Sequence, residues 1–562
     1  MPQKKSKSLV YLIQDPLEVT NDIPIYYTGM EKLSNQIGES LNIKTINDDA
    51  LNEIHTFIIN LDGLFKDQFF SLANTLSANR YLSSLYDNFL KGWKILEILK
   101  NHSQIYLLVD SNDQKYLWRN FLLSNNIQMI SKSKWVFNLR IKTLAREIIS
   151  IFKEYFWVRA IRKKIFFSKI IFIEWIDEKN KSCAQVINQS PYFGEFLKDI
   201  HKKSQVSIIS NILDGHRDFR EIIKSNCKFI KEYISFWDIV RAFFKSFKLL
   251  SPFKEKVIFK SYDFTSIVNK ALKKDFLDAS YLKHLLFYKA FKKICSNIPK
   301  NSTIFYPFEN QPWEKALIMA CSEQKNKINL FAYQFFPIPE NFLIHCFSKK
   351  AKSCARLPSK ILTSDIYSDH LFQKQGIATF KLGNLRYNHV LNYQMNFTPR
   401  KKILCSLFLD KIETISLVKK MVKFSRYINC DFIINYHPSL STDIIKEIKI
   451  FIENSENITL TNMKVTDLLE NVFLLVYNSS SVFLEAALRG IAVLYLPCED
   501  IVNLDRFHGL GKAVKNDEEA ISFIQKLKVD KDFYSAYAFE VYKKSNQMII
   551  PYHECAAEGL NL

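Results

Sequence analysis

The sequence predicts an α/β protein: two doubly wound parallel-sheet domains preceded by a smaller α/β domain. Three observations predict it. Short apolar runs recur along the 562 residues, separated by stretches with helical spacing. Several runs end on a polar residue, among them Asp177, Glu309, Gln334, Asp365, His437 and Ser479. A polar segment from Asn388 to Lys402, containing Pro399, divides the alternation in two.

The apolar runs 9–13, 56–62 and 105–110 read as strands, with helices around 29–40, 81–100 and 115–124. They make residues 1–130 an N-terminal α/β domain. Residues 131–165 then read as a basic, aromatic linker helix, in which Arg140, Arg146, Lys153 and Arg162 interleave with Trp135, Phe152, Phe156 and Trp157. Such a helix packs its rings on a domain, lies in a membrane interface or binds nucleic acid.

The next domain, 166–390, opens with the strand Ile170–Ile176. A helix near Tyr192–Lys202, the strand Val206–Ile212 and a largely helical stretch from Asp218 to Pro299 follow. Strands at Thr303–Phe308, Ile328–Tyr333, Ile361–Thr363 and Ala378–Leu382 complete it. The last domain, 400–535, has strands at Lys402–Leu407, Phe432–Asn435, Ile458–Leu460, Val472–Tyr477 and Ile491–Pro497. A helical tail, 536–562, closes the chain.

Composition bounds the function. A hydrophobic fraction of 48% with 24% charged residues is that of a globular protein, and the length calls for several domains. The net charge of +21 favours a polyanionic neighbour: anionic lipid, a phosphorylated substrate or nucleic acid. Ten cysteines contain no Cys-x-x-Cys pair, so neither a zinc cluster nor a disulfide framework is expected. The basic start, Met1–Ser8, is followed by an apolar run that Gln14 and Asp15 cut short, unlike a signal peptide. The expected location is the cytoplasm, with peripheral contact at the inner face of the cell membrane. Phosphate-loop, dinucleotide, zinc-protease and nucleophile-elbow motifs are all missing from the sequence.

The densest chemical signal is Asn478-Ser479-Ser480-Ser481. It lies between a strand and the helical Val482–Arg489, which Gly490 stops before the next strand. Backbone amides opening a helix, together with serine hydroxyls, suit phosphate oxygens, although one serine alone would serve as an N-cap. His437, held extended by Pro438, ends a neighbouring strand and can donate to the same phosphate. Glu485 either reaches ribose hydroxyls or sits on a solvated face. Glu309 ends a strand within Tyr306-Pro307-Phe308-Glu309-Asn310-Gln311-Pro312-Trp313-Glu314, where a general base would be needed. Gln311, Glu314 and Gln334 are candidates for substrate contact, and Asp177 and Asp365 are rival acids.

These residues resemble the GT-B glycosyltransferases. His437-Pro438 with the serine turn looks most like the enzymes using CMP-activated acidic sugars, the bacterial sialyltransferases and Kdo transferases. The Glu309–Glu314 segment and Tyr192-Phe193-Gly194 resemble a group of bacterial surface carbohydrate biosynthesis proteins. The resemblance covers about 166–535. It implies two Rossmann-like domains facing across a cleft, with His437 and Ser479–Ser481 on the donor phosphate. It also implies an acid in the first domain as base; Asp177 shows no acidic-acidic-Gly motif, so the identity of the base stays open among Glu309, Asp177 and Asp365, with Glu309 chosen because its surroundings are the most distinctive. No metal and no cofactor beyond a CMP-sugar donor are expected. The implied function is transfer of a sugar of the Kdo or nonulosonate class to a surface glycan or lipid-linked acceptor. A second reading keeps the fold with a UDP-sugar transferase, a UDP-sugar 2-epimerase or a CDP-polyol enzyme. A third is a non-catalytic scaffold binding nucleic acid or membrane; the polar residues gathered at strand ends argue against it.

Overall fold

The computed structural model describes residues 9–13, 25–27, 39–40, 46, 48–64, 71, 73, 83–102, 104–109, 112–131, 141–159, 167–176, 187, 190–212, 228–250, 256–324, 327–339, 342–354, 356–391, 402–498, 509–514 and 516–560. They fall into two compact units. One comprises residues 1–186, 204–331 and 343–359, the other 187–203, 332–342 and 360–562.

In the first unit a five-stranded parallel sheet has the order Glu39–Ser40, Ile25–Tyr27, Gln104–Leu108, Leu9–Ile13, Gln128–Ser131. The expected strand at 56–62 is instead the end of a helix, Asp48–Ile59, and a 3-10 turn, Leu61–Leu64. Ala50, Ile54 and Ile58 recur at helical spacing and are buried, while Asp48 and Asp49 favour a helix start. That periodicity outweighs the β-branched residues. The same unit holds a second parallel run in the order Ser302–Pro307, Ile170–Ile176, Val206–Ile212, Lys228–Phe229. The helices Thr265–Leu277 and Ser280–Asn297 supply apolar faces of the core. The basic segment folds as the helix Ile141–Arg159, with Ile151 and Tyr155 buried.

The second unit holds the six-stranded parallel sheet. Its order is Ile458–Thr461, Asp431–Asn435, Lys402–Ser406, Val472–Tyr477, Ala492–Tyr495, Lys512–Ala513. Alternate residues feed two separate cores, because successive side chains of a strand point to opposite faces. Ile403, Cys405, Phe432, Ile434, Val476 and Leu494 pack with Val418, Met421 and Ile524. Leu404, Ile433, Leu475, Tyr477 and Val493 pack with Phe483, Leu484 and Leu488. Apolar residues on both faces make this a doubly wound Rossmann-like sheet. The chain winds outward from Lys402–Ser406 through two strands, then returns to its other side with Val472–Tyr477. These two central strands are therefore the topological switch point.

Among the described residues, no helix is long and apolar enough to cross a membrane.

Candidate functional site: the switch point of the second unit

Parallel pairing sets the strand ends level. Ser406 is in register with Asn435 on one side and with Tyr477 on the other. The segments leaving these strands thus emerge side by side, about 5 Å apart per strand. They carry His437, Leu407 and Asn478–Ser481. Ser480 Oγ and Ser406 Oγ are 2.9 Å apart and hydrogen-bonded across the switch point. Ser479 Oγ donates to Asn478 Oδ1 at 2.9 Å. Ser481 is the N-cap residue of the helix Val482–Leu488, but its side chain makes no capping bond. The hydroxyls of Ser479 and Ser480 are thus oriented by neighbours, and Ser480 Oγ also accepts a long bond, 3.5 Å, from the Val482 N–H that opens this seven-residue helix. Gly490, at φ 71°, stops the helix as the sequence predicts. Glu485 Oε1 accepts from Arg489 Nη2 at 2.9 Å, a largely buried pair within the helix.

His437 carries a defined hydrogen bond. The backbone N–H of Ser439 donates to its Nδ1 at 3.1 Å, so a neutral ring bears its proton on Nε2. His437 lies on the surface; partial loss of water around the ring, and then the positive charge of Arg386, hold the imidazole below its ordinary pKa. Near neutral pH it is an uncharged N–H donor.

Arg386 is a residue that sequence reasoning missed. It follows the turn Gly383-Asn384 and lies over the Tyr387 ring at 5.5 Å. The Tyr387 hydroxyl donates to the Ser481 carbonyl at 3.1 Å, tying this segment to the serine turn. Gly383 makes the turn possible. Its φ is 107°, and a Cβ there would lie 2.6 Å from the Pro551 carbonyl oxygen. Asn384 Oδ1 then accepts from the Tyr387 backbone N–H at 2.9 Å. Signals for the turn existed in the sequence: a glycine in a chain with only 12, followed by Asn and, two residues on, Arg. Gly383→Ala is expected to destabilise the protein by about 2 kcal/mol or more, read as a lowered thermal midpoint.

Gln334 and Asp365 lie in the same unit, wholly buried and bonded to each other. Gln334 Nε2 donates to Asp365 Oδ2 at 3.1 Å, and Gln334 Oε1 accepts from the Ser364 N–H at 3.0 Å. Asp365 Oδ1 accepts from the Ser368 N–H at 2.8 Å, capping the helix Ile366–Lys374. Their bonding capacity goes into backbone architecture. Asp177 lies outside the described residues.

The Glu309 segment belongs to the first unit. The strand Ser302–Pro307 is buried throughout and delivers Glu309 at its carboxyl end. Glu314, at the third position of the helix Pro312–Ser322, reaches back across the turn. Its carboxylate accepts from the backbone N–H groups of Glu309, Asn310 and Gln311 at 2.9, 3.0 and 3.1 Å. Burial pushes the Glu314 carboxyl up, and those three donors oppose the shift. Its geometry is that of a loop-shaping group whose two oxygens are already in use. Asn310 adopts a left-handed φ of 52° and donates through Nδ2 to the Ile344 carbonyl.

Glu309 is different. Gln311 Nε2 donates to its Oε2, and burial raises its pKa to about 7 against that bond. A carboxyl tuned to neutrality at a strand end suits general acid–base chemistry. His345, buried against the Phe308 ring with its pKa lowered to about 3, is a neutral packing residue beside it.

A small pocket opens at Asn310, lined by Asp62, Ser71, Lys315, Lys350 and Arg356 among others. Ser348 Oγ donates to Asp62 Oδ2 at 2.8 Å. Burial lowers the Lys315 pKa, with the Asp62 and Glu314 carboxylates acting against it. Three cations and one carboxylate suit a ligand with hydroxyls and negative charge.

No protein-family profile and no curated protein match this chain. Solved structures similar to it include a UDP-GlcNAc 2-epimerase from Neisseria meningitidis bound to UDP-GlcNAc. The two are 11% identical, with 70% of this chain and 98% of that one covered and a TM-score of 0.41. A glycosyltransferase from Rickettsia africae is 12% identical over 70% and 96%, at a TM-score of 0.39. An α,α-trehalose 6-phosphate synthase from Burkholderia multivorans is 9% identical over 70% and 94%, at 0.41.

Proposed function

We propose that the chain is a nucleotide-sugar-dependent enzyme of the GT-B type that transfers a glycosyl group. One observation carries this reading: the switch point of the second unit gathers phosphate-binding chemistry, with Ser406 and Ser480 hydrogen-bonded across it and the His437 and Ser479–Ser481 segments emerging level. Open α/β sheets bind ligands outside the carboxyl ends of such strands. Serine hydroxyls, the Nε2–H of His437 and the Arg386 guanidinium are donors for phosphate oxygens. Arrival of a phosphate raises the imidazole pKa and lets His437 pass a proton to the departing phosphate. Glu485, set one turn into the helix, is assigned to ribose hydroxyls. Glu309 takes the proton of the attacking acceptor hydroxyl. An acceptor of the surface-glycan or lipid-linked class agrees with the cationic cavity at Asn310.

The residues support a phosphate site and leave the nucleobase open, so the donor is assigned by experiment. CMP-sugars of the Kdo or nonulosonate class are one choice; UDP-sugars, used by a transferase or a 2-epimerase, and CDP-polyols are the others. Thermal-shift measurements with CMP, UDP, CDP, CMP-Kdo and UDP-GlcNAc are expected to single out one nucleotide. Ser480→Ala should remove most of that shift without lowering the midpoint of the free protein by more than about 1 kcal/mol equivalent. An epimerase would interconvert UDP-GlcNAc and its 2-epimer without an acceptor, visible by proton NMR. Stabilisation by none of these compounds, together with salt-sensitive RNA binding, would establish the scaffold reading instead.

A further inference from the structure

The first unit presents an apolar surface unrelated to the nucleotide site. The helix Phe236–Ser246 starts at Ser235, whose hydroxyl caps the Asp238 N–H, and continues as the 3-10 turn Phe247–Leu250. Its inner residues Ile239 and Ala242 are buried. Its outer face carries large rings beside Arg241: Trp237 is 64% exposed and Phe244, seven residues on, is 68% exposed, with Phe247 at 42%. The helix Ile141–Arg159 adds Ile149 and Phe156, at 55% and 63%. Between the two helices runs a groove with about 600 Å³ of empty space, lined only by apolar side chains including Ile148, Phe152, Phe243 and Leu282. Large exposed rings gathered around an apolar groove mark a surface that is covered in use.

Charge identifies the cover. Each acid on these elements is paired with a lysine from elsewhere in the unit. Glu147 binds Lys283 at 2.9 Å, Glu154 binds Lys231 at 2.6 Å, and Asp238 binds Lys293. Arg146, Lys153 and Arg241 lie exposed on the same two elements and set the sign of the surface. Two copies apposed here would bring these cations together, an unfavourable arrangement. Tryptophan and phenylalanine rings bordered by lysine and arginine match the boundary between acyl chains and anionic headgroups.

We propose that this face, the Phe236–Leu250 segment with the outer side of Ile141–Arg159, docks the protein on an anionic lipid bilayer. It lies outside the expected linker helix for the most part, and it stands whichever nucleotide the enzyme uses. The test is co-sedimentation of the full chain with phosphatidylcholine vesicles, with and without a third of phosphatidylglycerol, at low and high salt. Binding is expected only to the anionic vesicles and should weaken at least about tenfold at high salt. The double variant Trp237→Ser, Phe244→Ser should lose binding by a similar factor, with an unchanged circular dichroism spectrum and unchanged nucleotide-induced thermal shift. Equal binding by the variant, or no binding by the native chain, overturns the proposal. A native dimer that the double variant dissociates would assign the face to self-association instead.

Discussion

Glu309→Gln is expected to reduce glycosyl transfer by about 10²–10³-fold, the usual contribution of a positioned general base, while nucleotide binding persists. The amide keeps the size of the side chain and can keep the contact with Gln311, but it cannot accept a proton. The local structure explains why Glu309 can have this role. Glu314 has taken the backbone N–H groups of the turn, so they do not support the Glu309 carboxylate, and burial raises its pKa to about 7. The base works when ionised, so turnover should rise with pH through about 7. A stability measurement checks the same pKa independently. The folded value lies above the unfolded one, so the native state holds the extra proton between about 4.5 and 7. The stabilising contribution is therefore full below the unfolded pKa and is lost as pH rises through the folded one. Glu309→Gln should remove this loss, making the variant more stable relative to the native chain at pH 8 than at pH 5. Turnover within a few-fold of native would assign Glu309 to the loop alone.

The sequence made the scaffold of the second unit legible because its strands are buried on both faces and appear as short continuous apolar runs. Ile403–Cys405, Phe432–Ile434 and Val472–Tyr477 fell where expected, as did the glycine stop at Gly490. Local pattern failed at 56–62, where Ile58 and Ile59 suggested a strand but Ile54 and Ile58 share a helix face. The candidate site was legible in its residue types and not in their wiring. Nothing in a run of three serines says that Ser480 would bond Ser406, 74 residues away. The same holds for Gln334 and Asp365, which end strands as cleft residues do but are closed on each other. Arg386 was invisible for a related reason: its nearness to His437 comes from a turn that requires Gly383 to press against Pro551 and Tyr552, far along the chain.

His437→Ala should lower kcat by about 10²-fold or more, and Arg386→Ala should act chiefly on KM. In the proposed site the two residues share one phosphate but differ in what they offer it. Arg386 is always charged and contributes attraction to the bound donor and the reacting one alike, which is uniform binding. His437 starts neutral, because partial desolvation and the Arg386 charge depress its pKa, and in the proposed site it gains its charge only when a phosphate offsets the guanidinium. Nucleotide binding should therefore take up a proton, and affinity should increase as pH falls toward the imidazole pKa. His437→Ala should abolish that dependence. Arg386→Ala should move the free histidine's pKa upward, toward its ordinary value, in a proton NMR titration of the ring C–H. The Ser439 N–H bond to Nδ1 fixes which nitrogen faces the donor, so His437→Asn, which offers a single amide donor without a titrating proton, should restore part of the binding and none of its pH dependence. A histidine that merely ends the strand predicts the opposite on every count: native kcat in the alanine variant, no proton uptake, and no response to the loss of Arg386.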